Sequence, residues 1–585
     1  MSAKPIYVLG SGLSHDGSAC LLKDGRICVA IEKERVTRRK HDGGNDRAAI
    51  QYLLDAEGIT LADVALIVQN ANFGMFADGN DWFHGPRLFD RDAPVVTISH
   101  HLAHAWSAYG TSPFDEAAIL IMDGCGNSYD DCMDLDGAAL LAAPEGETAH
   151  LWHEKDSYYG AAGTRLRTLV KDFSPWGFIS KGRAIHPSTT RHSIGGVYGA
   201  ASTYVFQGLE DPGKLMGLAP YGRPGVHDLE AFDLKDGRVF VRDDWMQHFR
   251  KPARAYEDFK AGFQDYADLA YWVQREVERA ILYILRARHA AYPSPNLCYA
   301  GGVALNAVAN RLIVTEGPFD NVFIQPAAGD NGLAIGCAYY GWLEVLGKEK
   351  VRHTGSVYLG KTYDEDYTLG TLKNYHQLFE FSRSADIVAD TAAALAGGKV
   401  VGWFQDGSEF GPRALGNRSI LADPRVAGVR DFINAKVKFR EDFRPFAPSV
   451  LAEDAAIYFD CDYESPHMLL IAPVRPEWRD VIPAVVHRDN SARIQTVTRE
   501  VNPTYFDLIT AFKEKSGIGV LLNTSLNRRG TPIVESPDDA LWLFARSNLH
   551  LLVIGDYIVR KLPNFEARLK IVEEHLEKSG IAIPQ

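Results

Sequence analysis

The sequence predicts an α/β protein of two domains, and three observations carry that reading. A strand, a turn rich in Gly, Ser and Asp, and a further strand open the chain over residues 6–32, and the same pattern returns from residue 117. Amphipathic helical stretches alternate with short apolar runs between and beyond these units. Around residues 357–365 the pattern relaxes and a second α/β unit begins, which divides the chain into domains of residues 1–356 and 357–585.

In chain order, residues 6–10 read as a buried strand and 11–17 as its turn. Residues 18–22 and, after Asp24-Gly25, residues 26–32 complete a meander. Exposed backbone N–H groups in such a turn can cradle phosphate. The charge-dense run over residues 32–41 fits either a solvated face or a basic arm bent over a nucleotide. Residues 46–57 read as a helix and 64–69 as a strand. The apolar run 117–122 ends in Asp123-Gly124-Cys125-Gly126-Asn127-Ser128, a second strand-turn unit that points to internal duplication. Residues 151–221 are aromatic and Gly-rich without clear periodicity, and are expected to form a loop-rich insertion lining a pocket. The clearest helix is 268–288, with Leu269, Trp272, Val273, Val277, Ile281, Ile284 and Leu285 on one stripe. A strand at 296–300 then runs into Gly301-Gly302-Val303-Ala304-Leu305-Asn306, where paired glycines let backbone approach a ligand closely. The second unit opens with a helix at 384–395 and a strand at 400–404. The chain closes with an amphipathic helix whose Phe565, Leu569, Val572 and Leu576 are expected to pack back on the body.

Two sets of residues carry chemistry. His100 and His104 lie four apart in Ser99-His100-His101-Leu102-Ala103-His104-Ala105, so on a helix both imidazoles face one point, and His101 turns away. Such a pair suits a divalent metal of the zinc or iron type. Asp123 and Asp330, each closing an apolar run, are the carboxylates expected to complete it. The second set is cationic: Arg413 and Arg418 beside a Gly-Pro turn, then Lys436, Lys438, Arg440 and Arg444, then Arg493, then the Asn523-Thr524-Ser525 turn. Arg holds phosphate or carboxylate oxygens in pairs and Lys adds a compact charge, so these residues look selected for a small anion. The first domain thus reads as built for ATP with a metal, and the second for a small phosphate compound.

Composition narrows the partners. A net charge of -13 over 585 residues, without a basic tail, argues against general nucleic-acid binding. The start lacks the apolar stretch of a signal peptide, and no segment approaches the roughly 20 apolar residues of a membrane span. Seven scattered cysteines, none spaced CxxC, fit free thiols in a cytoplasmic protein.

A family resemblance adds the rest. The motifs His15-Asp16, Glu34-Arg35, His100-His101-Leu102-Ala103-His104, Gly213-Lys214-Leu215-Met216-Gly217-Leu218-Ala219-Pro220-Tyr221-Gly222, Gly301-Gly302-Val303-Ala304-Leu305-Asn306, Phe410-Gly411-Pro412-Arg413-Ala414-Leu415-Gly416, Arg444-Pro445-Phe446-Ala447-Pro448 and Asn523-Thr524-Ser525 resemble those of the O-carbamoyltransferases of antibiotic and nodulation-factor biosynthesis, over residues 6–565. The resemblance implies an actin-like first domain of the heat-shock and sugar-kinase type, a duplicated RNase H-like fold, and a YrdC-like second domain. It implies that carbamoyl phosphate binds Arg413, Lys438, Arg444, Arg493 and Ser525 and reacts with ATP to carbamoyl adenylate. It also implies a metal on His100, His104, Asp123 and Asp330, iron(II) first, with zinc, magnesium or manganese as alternatives. The carbamoyl group then passes to a hydroxyl of a small-molecule acceptor, with an enclosed passage protecting the labile intermediate. His15 would position or deprotonate that hydroxyl, Lys40 would bind nucleotide phosphate, and Gly301, Gly302 and Asn306 would lie along the adenosine. A homodimer is left open as the assembly. Two readings compete: a threonylcarbamoyl transferase acting on tRNA, disfavoured by the acidic charge, and a non-catalytic ATP-binding module, which leaves the cation set without purpose.

Overall fold

The computed structural model describes residues 4–43, 46–70, 88, 94–142, 144, 146–177, 183–187, 189–208 and 211–579. The chain divides into two compact units, one of Met1–Lys33 with His41–Gly355, the other of Glu34–Lys40 with Ser356–Gln585. Parts of the expected insertion, residues 178–182, 188, 209 and 210, lie outside the described residues.

In the first unit, β1 (Tyr7–Gly12), β2 (Ser18–Lys23), β3 (Arg26–Glu32), β4 (Val64–Asn70) and β5 (Val95–Ile98) form a sheet in the order β3-β2-β1-β4-β5. The first three strands are antiparallel, and β4 and β5 extend the sheet in parallel from β1. The second sheet is built from β6 (Glu116–Met122), β7 (Ala139–Ala142), β8 (Trp152–Ala162), β9 (Arg165–Pro175), β12 (Asn296–Ala300) and β13 (Asn321–Ile324), in the order β13-β12-β6-β8-β9-β7. A separate hairpin pairs β10 (Phe232–Lys235) with β11 (Arg238–Val241). Again the first strand pairs antiparallel with its successor β8, β8 pairs so with β9, and β12 and β13 add in parallel. Strands β6, β8, β9, β12 and β13 therefore repeat β1 to β5 in order and direction. This is the duplication that an actin-like domain requires.

Each half ends in a helix, His100–Thr111 after β5 and Leu333–Tyr340 after β13. The two helices meet backbone to backbone: a Cβ on Gly336 would fall on the carbonyl oxygen of Ala103, and one on Gly10 of β1 on that of Ala334. The helix expected at 268–288 runs longer, as Phe263–Ala291, with the predicted apolar stripe buried.

One expectation is corrected. Residues 151–221 are not a loop-rich insertion: they supply the two eleven-residue strands β8 and β9 and the helix Ile194–Phe206. Their alternation is hidden because buried positions carry charge. Lys171 pairs with Asp134 at 2.8 Å and with Glu154, Lys155 with Asp172 at 2.9 Å, and Asp156 with Arg288 at 2.7 Å. Charged side chains so paired occupy interior positions that a hydrophobic pattern cannot reveal.

The second unit is a mixed sheet of β14 (Phe379–Arg383), β15 (Val401–Phe404), β16 (Arg418–Ala422), β17 (Ala447–Leu451), β18 (Leu470–Pro473), β19 (Ser491–Val497), β20 (Val520–Ser525), β21 (Leu551–Ile554) and β22 (Tyr557–Lys561), in the order β14-β22-β21-β15-β16-β20-β17-β19-β18. Phe565 and Leu569 of the last helix are buried against its core, with Val572 and Leu576 beside them. Residues 34–40 join this unit through Arg35, which donates to the Gly411 carbonyl at 2.6 Å. Arg38 adds bonds to the carbonyls of Ile533 at 2.7 Å and Pro532 at 3.0 Å.

The helix contact at Gly336 yields a stability test. Gly336→Ala should cost roughly 2–3 kcal/mol by overpacking the junction of the two halves. Gly213→Ala, where a Cβ meets nothing within 4 Å, should leave the urea unfolding midpoint unchanged or slightly raised.

Candidate functional sites

In the first unit the carboxyl ends of β1, β6, β12 and β13 and the helix after β5 converge on one buried cluster. This is where ligands sit in folds built on parallel strands. His100 Nε2 lies 3.1 Å from Asp123 Oδ2 and 3.5 Å from Asp330 Oδ1, and His104 Nε2 lies 3.5 Å from each of those oxygens. His101, one step round the helix, bonds Ser157 Oγ at 2.8 Å instead.

Each carboxylate has one oxygen held by the protein and the other turned to the histidine pair. Asp123 Oδ1 accepts from the backbone N–H of Gly124 at 2.7 Å and of Gly302 at 3.1 Å. Asp330 Oδ2 accepts from the Ser14 hydroxyl and faces His15 Nε2 at 3.2 Å. Outer partners of this kind fix first-contact ligands in orientation. Burial works against charge on all four groups, but their pairing outweighs it. His100 is pushed up to about 10, His104 is raised, and Asp123 and Asp330 are held below the usual carboxylate range.

The four side chains present one ligand atom each, all within 4.8 Å of one another. Both ring nitrogens of His104 are buried without a hydrogen-bond partner. Buried imidazole nitrogens are rarely left so, and a divalent cation among these two nitrogen and two oxygen donors would satisfy Nε2. The donor set fits a metal of the iron or zinc type.

His15 is half exposed between two acids, with Nδ1 3.3 Å from Asp16 Oδ2. Asp16 is held in turn by His41 Nδ1 at 2.8 Å. Gly301, at φ 94°, packs where any Cβ would strike the Met122 backbone, which brings the Gly301-Gly302 turn against Asp123. Asn306 is engaged internally. Its Oδ1 accepts from the Ala309 N–H at 3.2 Å and from Gln274 Nε2 at 3.1 Å, and its Nδ2 donates to Gln274 Oε1 at 3.1 Å, capping the helix Ala307–Glu316.

The second unit holds a cation cluster. Glu409 Oε1 accepts from the N–H groups of Leu415 at 2.7 Å, Asn417 at 2.8 Å and Arg418 at 3.2 Å, and so shapes the loop that presents Arg413. Loss of hydration and the Arg444 charge lower Arg413 to about 10. Arg493, on β19, is pushed well below the ordinary guanidinium value by loss of hydration and by Arg413, Arg440 and Arg444. Arg440 is lowered likewise, by loss of hydration and Arg444. Lys438 is depressed by burial and by Arg440, Arg444 and Lys40, and its ammonium donates to Ser525 O at 2.6 Å, Ser525 Oγ at 3.0 Å and Asn527 Oδ1 at 2.6 Å. Neither Arg413 Nε nor Arg493 Nε finds an acceptor among the described residues. Glu441 answers part of this charge, 3.8 Å from Arg444 and 3.4 Å from Arg529.

Three placements differ from what the residues or the resemblance implied. Lys40 belongs to the C-terminal unit, where its charge acts on Lys438. Arg418 is a strut and not an anion ligand: it donates to the carbonyls of Gln405 at 2.5 Å, Asp406 at 3.0 Å and Glu535 at 3.2 Å and lies 3.5 Å over the Phe404 ring. Arg440, named with the cations in the sequence but absent from the ligand set that the resemblance implies, joins the cluster, whereas Lys436 in the same stretch is exposed.

The chain is similar to known proteins over most of its length. The chain matches the Carbamoyltransferase N-terminus model over residues 8–78 and 85–339, and the Carbamoyltransferase C-terminus model over residues 392–561. It is 34% identical to nodulation protein NolNO of Sinorhizobium fredii, covering 94% of this chain and 79% of that one. It is 33% identical to the 3'-hydroxymethylcephem-O-carbamoyltransferase of Amycolatopsis lactamdurans, covering 93% and 97%. Among solved structures, HypF of T. kodakarensis aligns with 59% of this chain and 50% of its own, at 15% identity and a TM-score of 0.36. Among the described residues no helix is long and apolar enough to cross a membrane. With both family models matched in order, the chain belongs to the carbamoyltransferase family of enzymes.

Proposed function

We propose that this enzyme is an ATP-dependent O-carbamoyltransferase that moves a carbamoyl group from carbamoyl phosphate, through carbamoyl adenylate, to a hydroxyl of a small natural-product acceptor. The observation that carries the reading is the cation cluster of Arg413, Lys438, Arg440, Arg444 and Arg493 inside an acidic protein, in which Arg413, Lys438, Arg440 and Arg493 are lowered by loss of hydration and by the like charges beside them. Poorly hydrated cations that repel one another favour an anion from outside, and two, carbamoyl phosphate and a triphosphate, balance them better than one. The relative named as a cephem O-carbamoyltransferase supports the oxygen acceptor.

In the C-terminal unit, Arg413, Lys438, Arg444, Arg493 and Ser525 hold carbamoyl phosphate, and Lys40 adds charge to the same field. Atom balance requires one water. It cleaves carbamoyl phosphate to carbamate and phosphate; the carbamate oxygen then attacks the α-phosphorus of ATP, and pyrophosphate leaves. In the N-terminal unit the acceptor oxygen attacks the carbamoyl carbon, the bond from that carbon to the phosphate oxygen breaks, and AMP departs. His15 takes the hydroxyl proton, and Asp16 steadies the imidazolium so formed, as a carboxylate does behind a catalytic histidine. The Gly301-Gly302 turn lies along the adenosine. A divalent metal held by His100, His104, Asp123 and Asp330, iron(II) first, would supply Lewis acidity toward the phosphate of the adenylate.

Two measurements test the division of labour. Pyrophosphate release should require both ATP and carbamoyl phosphate, and Arg444→Ala should lower its kcat/KM for carbamoyl phosphate by about 100-fold. Release that is independent of carbamoyl phosphate would overturn the adenylation step. His104→Ala should bring bound metal, read by elemental analysis, well below one equivalent and abolish carbamoylation of the acceptor while pyrophosphate release persists. Unchanged metal content would remove the site from His104.

A further inference from the structure

Phe439 stands out among the aromatic residues. It is 43% exposed, and its backbone is left-handed, with φ at 52°. Among the described residues it alone combines a large exposed apolar side chain with a positive φ at a non-glycine position. A bulky side chain in that conformation is strained, and strain of this kind gathers at functional sites. The strain has a local cause: the preceding turn, Ile433–Lys438, is π-helical, and Phe439 ends it. Lys438 and Arg440, its two neighbours, both belong to the cation cluster.

Arg528 lies over the same ring, its guanidinium carbon 5.1 Å from the centroid. The loop that carries it is fixed rather than loose. Arg529 N donates to Lys438 O at 3.0 Å, Arg528 N to Thr531 Oγ1 at 3.1 Å, and Asn527 Nδ2 to Thr531 O at 2.6 Å. With a guanidinium on one face, the ring's exposed surface remains open to a second planar group.

We propose that Phe439, backed by Arg528, is the platform on which the purine base of ATP stacks in the C-terminal unit, while the neighbouring cations take its phosphates. Aromatic rings and arginine planes are the surfaces on which nucleobases stack, and the gain is indifferent to hydrogen-bonding pattern. An aromatic ring kept exposed at the rim of a phosphate-binding cluster is suited to a ligand that is flat at one end and polyanionic at the other. The assignment rests on the adenylation reading above and adds to it the base-recognition surface, which the cation set does not supply.

The test uses the full-length protein and compares Phe439→Ala with Phe439→Trp. In the pyrophosphate-release assay Phe439→Ala should raise KM for ATP by about 5- to 100-fold. KM for carbamoyl phosphate and inhibition by inorganic tripolyphosphate, which has phosphates and no base, should stay within about twofold of wild type. Phe439→Trp should restore ATP binding. An unchanged KM for ATP, an equal loss for tripolyphosphate, or a rise confined to the acceptor would overturn the platform while leaving adenylation intact. Should wild type release no pyrophosphate, the adenylation reading fails by itself. Calorimetric titration of ATP and of tripolyphosphate into wild type and Phe439→Ala then decides the platform: weakened ATP with unchanged tripolyphosphate sustains it, and any other pattern rejects it.

Discussion

A charge removed from water must find a partner, and this protein meets that demand in two opposite ways. Around His100 and His104 the books balance internally: two imidazoles face two carboxylates, and against the loss of hydration each group is shifted toward its charged form by partners of opposite sign. Around Arg413 and Arg493 they do not, and each cation is shifted away from its charged form by loss of hydration and then by the like charges beside it. In the proposed function the first arrangement would take a divalent cation in place of protons, and the second would be stabilised by polyanions. The difference in charge balance, more than any single residue, distinguishes the two clusters.

Backbone approach sets the geometry of the first centre. Gly336 and Gly10 permit contacts that a methyl group would forbid, so the terminal helices of the two repeated halves touch, and Asp330 stands opposite the histidine helix. Gly301 does the same between β12 and β6. Duplication supplies two sheets whose strand ends meet at the cluster of His100, His104, Asp123 and Asp330. Glycine lets those ends close to hydrogen-bonding distance.

Much of this was legible in the sequence. The meander at residues 7–32 and its echo from residue 116 showed in strand and turn patterning, and the histidine spacing required one shared focus. The hairpin of β8 and β9 was not legible, because Glu154, Lys155, Asp156, Lys171 and Asp172 put charge at buried positions and only their partners, distant in sequence, explain it. Arg418 and Arg413 sit five residues apart in one motif and read alike, yet one is consumed by backbone carbonyls and the other is not. Asn306 looked available to a ligand until its cap and its bonds to Gln274 were seen. Residues 34–40 showed their charge in the sequence but not their allegiance to the second unit, which depends on carbonyls some 375 to 495 positions away.

The buried charges of that hairpin also explain how the histidine helix is held. Ser99 precedes the helix in the place of a cap, but its hydroxyl accepts from Met133 N at 2.8 Å and leaves the helix end to others. The N–H of His100 is one of the donors that a helix cannot satisfy from within, and it bonds Asn127 Oδ1 at 2.6 Å. Asn127 N donates to Glu154 Oε2 at 3.0 Å, and Glu154 is anchored by Lys171. His100 is thereby tied to the loop that follows Asp123 and, through it, to the interior of the second sheet. A serine cap accepts from the second or third N–H of a helix and not from the first, so the His100 N–H needs an acceptor from outside the helix, and Asn127 supplies it. Routing the bond through Asn127 and Glu154 holds His100 and Asp123 in one frame, and in that arrangement the buried ion pair contributes position more than stability.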